Sequence, residues 1–413
     1  MAYWKSIASS GHYSKGIHFE STRSQRISDS CLGAAPLLYN ESVVIGRRSA
    51  FAACLVAAWG CGRKKVVGFP GYAFVANEEG QAVAAVDLET LTLARLIPLD
   101  GKPSAVLAHP VRDAVYALTP DSGTVHEVDT GALAHRRKTR VARGVISMRL
   151  APDGAALWVL CREPRELLRL DVDSLRPSRR IPLPAAPVDF DLSAREPWCA
   201  VSCEDGTVTI LDLAGGRVAV QARAASGGGK VRFRSDGKHL LVGDPRRTLV
   251  ILETESGKTV TRLPLAVRPD NFCFKADGGQ LFLTGDGMDA VVVVYPYSTE
   301  VAQTVLAGRA PGAMAASTSP GDGYLFVANP ATGDVTILDI ETSRAIATVA
   351  VGADPGSITV TPDDQFALVL NRRSGNVAVI RIAAVVPTRT RSAPLFTVIP
   401  VGSKPVNAAV KAL

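Results

Sequence analysis

The hexapeptide at residues 72–77 (YAFVAN) returns in altered form seven times, beginning at Ala114, Ala156, Trp198, His239, Gln280, Tyr324 and Phe366. These starting points advance almost evenly and without a gap, which makes one uninterrupted array. A period of about 40–45 residues built from short alternating apolar runs is the length of one four-stranded blade, and such blades close radially into a ring. The array therefore predicts an all-β fold, a β-propeller of four-stranded blades. Eight hexapeptides predict eight blades, with seven as the alternative.

The copy at residues 324–329 (YLFVAN) shows one unit in full. A turn at 330–334 (PATGD) leads to a strand at 335–339 (VTILD), a second turn to 345–351 (AIATVAV), and Gly352 to Pro355 to a strand at 357–360 (SITV). An acidic residue closes the second of these strands as Asp87, Asp129, Asp171, Asp212, Glu253 and Asp339. Asp at that place starts a turn by accepting backbone N–H groups, so the column is expected to be structural. The sixth hexapeptide position holds Asn77, Thr119, Cys161, Cys203, Asp244, Gly285, Asn329 and Asn371, a set suited to capping the turn that follows.

No Pro-led strand precedes Tyr72, so the first blade starts one strand short. After the eighth copy, residues 396–401 (FTVIPV), Gly402 to Pro405 and 406–410 (VNAAV) align with Pro355 and the strand beyond it. The terminal strand is thus expected to fill the innermost place of the first blade, which removes an exposed edge.

These residues also carry a family likeness. YAFVAN, YLFVAN followed by VTILDIET (335–342), VAVGADP (349–355) and TPDD (361–364) resemble the YVTN-type β-propeller repeat of the bacterial YncE-like proteins, over residues 72–413. Copies one, seven and eight match well, while copies two to six keep the spacing and blur the motif. The resemblance implies a WD40-like ring in an exported, often envelope-associated protein. Lactonase-like propellers and the haem d1 propeller of nitrite reductases are its more distant relatives.

The segment before Gly62 is different in kind. Arg47 and Arg48 precede a short apolar run at 50–59 (AFAACLVAAW), then Gly60, Cys61, Lys64 and Lys65. That run falls well short of the roughly 20 residues needed to span a bilayer but suits the core of a signal peptide. Ala58 to Cys61 resembles a bacterial lipobox, which implies lipidation at Cys61, although Leu is usual where Ala58 stands. Residues 1–61 are read as a disordered leader with an export and lipoprotein signal, translation starting near Val43 or Val44, residues 62–71 as a short linker, and 72–413 as one propeller domain. The expected location is the periplasm or cell envelope, lipid-anchored; the alternative is a cytoplasmic protein with a loose tail.

The net charge of +7 falls to +4 once the six basic and three acidic side chains of the 1–61 segment are removed. Nucleic-acid recognition requires basic residues gathered on one face, so it is not expected. Cys161 and Cys203 share the sixth position of successive copies and are expected to face each other across neighbouring blades, yet as free thiols. Cys199 and Cys203 lie about 13 Å apart along one strand, too far to bridge.

Ligands of such rings meet the loops around the central opening, here the turns after the hexapeptide and those before the Pro-led strand. The candidate ligand-binding residues are Arg162, Arg246, Arg247, Arg268, Arg372, Arg373, Lys102 and Lys404. Guanidinium groups converging there would suit a carboxylate, a phosphate or an acidic glycan; the plainer alternative is charge that keeps loops soluble. No G-x-S-x-G, H-E-x-x-H or P-loop is present, and His109, His126, His135 and His239 read as scattered over different positions of different repeats. No catalytic residue, metal or cofactor is therefore expected. The chain reads as a monomeric, non-catalytic binding scaffold for a small anionic ligand, a glycan or an envelope protein; a lactonase-like hydrolase and a haem d1-type or other cofactor-binding propeller are the alternatives.

Overall fold

The computed structural model describes residues 68–318, 323–385 and 393–413. The leader, the lipidation candidate Cys61 and most of the linker lie outside the described residues. The described chain forms eight four-stranded antiparallel sheets, arranged in a ring as an eight-bladed β-propeller. Besides strands, the described residues contain one short 3-10 turn, Ile382–Ala384.

Blade 7 shows the pattern: Met314–Ala316 innermost, then Tyr324–Asn329, Asp334–Asp339 and Arg344–Ala350 at the rim. Every hexapeptide falls on the second strand of its blade. In the sixth copy the strand starts at Leu281, one position late. Second strands such as Ala114–Thr119 and Tyr324–Asn329 are buried along their whole length, since both faces press on neighbouring blades. Rim strands such as Thr92–Pro98 are exposed at nearly every position. All eight blades carry a register shift between third and fourth strands at the same repeat position, from Ala85/Val86 to Val379/Ile380. A bulge there adds local twist and turns the rim strand away from its neighbours.

The last strand, Pro405–Ala412, pairs with Gly71–Asn77, placing Ala412 opposite Gly71, Ala409 opposite Phe74 and Pro405 opposite Asn77. The chain's end therefore occupies the innermost place of blade 1, as the Pro-led alignment predicted. Inner strands Ala105–Ala108 and Pro355–Val360 of blades 2 and 8 flank it on either side.

The acidic column is structural. Asp87 Oδ1 accepts the N–H groups of Glu89 and Thr90 at 2.8 and 3.0 Å, Asp129 and Asp171 repeat the arrangement, and Asp212 and Asp339 accept the N–H three residues on, from Gly215 and Thr342. Two expectations need correction. Cys161 packs against the second blade and Cys203 against the third, because equivalent positions point the same way round the ring rather than at each other; Cys161, Cys199, Cys203 and Cys273 are free. His126 and His135 both belong to the second repeat, and their ring nitrogens Nδ1 and Nε2 lie 3.2 Å apart.

Candidate functional site

The two loop sets singled out in the sequence emerge on one face, where the chain crosses from each blade to the next, and are bonded to each other. The Glu78 N–H donates to Lys404 O at 3.0 Å, Arg372 N–H to Asp354 O at 2.9 Å, and Arg143 N–H to Glu163 O at 3.0 Å. Buried Asn side chains at the sixth position clamp the crossing: Asn77 Nδ2 donates to Val401 O at 2.7 Å and Asn371 Nδ2 to Val351 O at 2.9 Å. Gly402 and Gly352 follow those carbonyls with φ of +125° and +146°, and a Cβ on Gly402 would stand 2.9 Å from Asn77 Nδ2, one on Gly352 2.7 Å from Asn371 Nδ2. Glycine is required there because both the backbone angle and the space exclude a side chain.

This face does not gather the eight candidate cations into one cluster; it distributes them over separate pockets at blade junctions. Where blade 8 meets blade 1, an open pocket of about 630 Å³ brings together Arg372, Arg373 and Lys404 with Glu79 and Asp354. Arg372 Nη2 donates to Asp354 Oδ1 at 2.6 Å, while Lys404 Nζ lies 3.0 Å from Glu78 and 3.7 Å from Glu79. The Glu78 bond holds the Lys404 ammonium above its usual range. Arg373 is exposed and has no ion pair among the described residues.

Arg162 lines a pocket of about 470 Å³ with Arg143 at the junction of blades 2 and 3, and approaches Glu204 at 3.6 Å. Arg268 is neutralised locally, its Nε donating to both oxygens of Asp270 at 2.8 and 2.9 Å. Arg246 lines a pocket of about 400 Å³ between blades 4 and 5 together with Arg223 and Arg262. Arg247 instead leans over Gly287 of blade 6. Lys102 is exposed and lies outside these pockets.

Sequence reading missed Arg223 and Arg262, because both sit in rim strands where charge reads as mere solvation. It also missed a charged arc on the channel wall, where the inner strands Gly144–Leu150, Pro187–Leu192 and Val231–Phe233 carry Arg149, Asp189, Asp191 and Arg232. Asp189 Oδ2 accepts Arg232 Nη1 at 2.6 Å and Val231 N–H at 3.2 Å; Asp191 Oδ2 accepts Phe233 N–H at 2.9 Å. Arg149 Nε donates to Phe190 O at 2.7 Å and lies 3.5 Å from Asp191. Burial pushes the Asp191 carboxyl up against the pull of Arg149 and Arg232, and burial with repulsion from Arg232 pulls Arg149 down. These carboxylates staple one blade to the free inner edge of the next.

His126 is fully buried, with Nε2 3.1 Å from Thr119 Oγ1 and 3.3 Å from Asp100 Oδ1. Burial pushes it down to about 4, Asp100 opposing and His135 reinforcing the shift. Its folded value lies below the unfolded value of about 6.5, so the unfolded chain binds the extra proton; the stability contribution is complete above pH 6.5 and is lost as pH falls toward 4. Between pH 7 and pH 5 the expected loss is about 2 kcal/mol. Urea unfolding at both values checks it: His126→Gln should remove most of the difference, and an undiminished pH dependence would assign it elsewhere.

Comparison with known proteins bears on the fold. No family model and no curated protein matches the chain. Among solved structures, the chain is similar to the dihydro-heme d1 dehydrogenase NirN in complex with DHE, with a TM-score of 0.67 and 17% identity over 82% of this chain and 75% of that one. It is also similar to Kuenenia stuttgartiensis hydrazine synthase, with a TM-score of 0.53 and 20% identity over 79% of this chain and 99% of that one. Both likenesses establish the β-propeller architecture.

Proposed function

We propose that this protein is an exported, envelope-associated propeller of the YVTN type that acts as a non-catalytic scaffold and holds an anionic ligand on its crossing face. The observation that carries the reading is the pocket between blades 8 and 1, where Arg372, Arg373 and Lys404 meet. Arg372 and Arg373 come from the turn after the second strand of blade 8 and Lys404 from the terminal crossing into blade 1, so the site is assembled by the same closure that completes the ring. Guanidinium forks match carboxylate and phosphate oxygens in pairs, and an open, polar pocket suits a charged group better than an apolar one. The repeat motif and the segment ending in Cys61 support an exported, lipid-anchored location. Neither the lactonase-like nor the haem d1-type alternative has an observation of its own in its favour.

The test is thermal denaturation of the full chain with acidic oligosaccharides and small polycarboxylates such as citrate. A ligand at a hundred times its Kd stabilises by about 2.7 kcal/mol, and Arg372→Ala with Arg373→Ala should remove most of that. Equal stabilisation of both proteins would count against this face. For the anchor, an unmodified peptide running from Trp59 to Lys64 in protein from its native host would rule out lipidation at Cys61.

A further inference from the structure

The pocket between blades 4 and 5 differs from the others in its charge balance. Arg223 ends the rim strand Arg217–Arg223 of blade 4, Arg262 lies in the rim strand Thr259–Pro264 of blade 5, and Arg246 follows the second strand of blade 5. Among the described residues, none of the three forms an ion pair with a carboxylate, in contrast to Arg372, Lys404 and Arg268. The pocket's one acidic residue, Asp244, is buried and already engaged: Oδ1 accepts Ser226 Oγ at 2.5 Å and Arg246 N–H at 2.9 Å, and Oδ2 accepts Ser226 N–H at 3.0 Å. Asp205 stands outside the lining with its Oδ1 on Thr207 N–H at 2.9 Å.

Three guanidinium charges therefore face one committed carboxylate. Buried Ala224 and Ala225 also line the pocket, and their N–H groups both donate to Gly206 O at 3.0 Å. Recognition in this pocket falls to the arginine forks, since those backbone donors are occupied. The pocket measures about 400 Å³, enough for an oxyanion together with part of the group that bears it. The lining holds three arginines against one carboxylate, an excess of positive charge that favours a dianion over a monoanion, and planar guanidinium groups suit oxygens disposed around one central atom.

We infer that the blade 4/5 pocket, lined by Arg223, Arg246 and Arg262, is a binding site for a tetrahedral oxyanion, a phosphate or sulfate group. The inference rests on the reading of the crossing face as anion-binding and assigns it a pocket and a ligand class. Binding of inorganic phosphate, sulfate and acetate to the full chain, measured by titration calorimetry at low ionic strength, tests it. Phosphate and sulfate should bind with one-to-one saturation at least tenfold more tightly than acetate. Arg223→Gln and Arg262→Gln, both at rim positions and checked for unchanged melting, should each weaken phosphate at least tenfold, whereas Arg373→Gln should not.

Glycerol phosphate and a sulfated disaccharide as competitors separate a phosphoryl from a sulfuryl carrier. Phosphate binding that survives Arg223→Gln and Arg262→Gln but is lost in Arg373→Gln would overturn this site and leave the blade 8/1 reading standing. Absent saturation, or affinity for acetate equal to that for phosphate, would overturn the assignment outright. Phosphate binding lost in the blade 4/5 variants, with Arg372 and Arg373 irrelevant to every anion tried, would support this site while removing the other.

Discussion

Removal of residues 405–413 is expected to leave a chain that neither folds cooperatively nor stays soluble. The segment pairs along the whole of Gly71–Asn77, so its loss strips the inner side of blade 1 and exposes an apolar edge strand to other chains. It is also tied to three further places. Lys411 Nζ, buried, donates to His109 O at 3.0 Å and Pro110 O at 3.3 Å in blade 2; Asn407 Oδ1 accepts Val106 N–H at 2.8 Å; and Ala408 O accepts Thr359 Oγ1 of blade 8 at 3.3 Å. Ala408 and Val410 pack with blade 8, Val406 and Ala409 with blade 2. Net stabilities of folded domains are only about 5–15 kcal/mol, less than the loss of a whole inner strand with its contacts to three blades would take away. Gel filtration and thermal melting check this, and a monomeric truncated chain that melts with the full one would refute it.

Asp189→Ala is expected to cost about 3–5 kcal/mol, the range for removing one partner of a buried ion pair. The carboxylate is 7% exposed and serves Arg232 and the Val231 N–H, with Lys230 at 3.9 Å. Without it, the Arg232 guanidinium loses its carboxylate and keeps only Val231 O, at 2.6 Å, while the Val231 N–H on the inner edge of blade 5 loses its acceptor. Asp189→Asn keeps an acceptor oxygen for Val231 and should lose less. Urea midpoints of the three proteins provide the measurement; a change below about 1 kcal/mol in the Ala variant would show that water replaces the carboxylate freely.

Some of this architecture was legible because its causes are local. A second strand pressed between two blades needs apolar residues at each position, so YLFVAN and its relatives survive even where the motif blurs. Asp339 announces its turn because it bonds to the N–H of nearby Thr342, and the closing strand shows itself through a Pro-led match to residues 355–360. The charge pairing was not legible. Arg162 and Glu204 stand a full repeat apart and Arg372 and Asp354 meet across a crossing loop, so which cation stays free depends on loop paths rather than on local sequence. His126 and His135 meet through the bulge between Glu127 and Val128, which sets His135 opposite Val128, and no alternation rule anticipates that shift.

The claim on which the pocket of Arg372, Arg373 and Lys404 depends is that the two ends of the domain share one sheet. Amide hydrogen exchange on the intact protein addresses it directly, by following deuterium uptake in a peptide covering Pro405–Ala412 beside one covering Gly71–Asn77. The account predicts that both exchange slowly and are released together by the same unfolding event. Rapid uptake in the terminal peptide, while the rest of the ring stays protected, would contradict it.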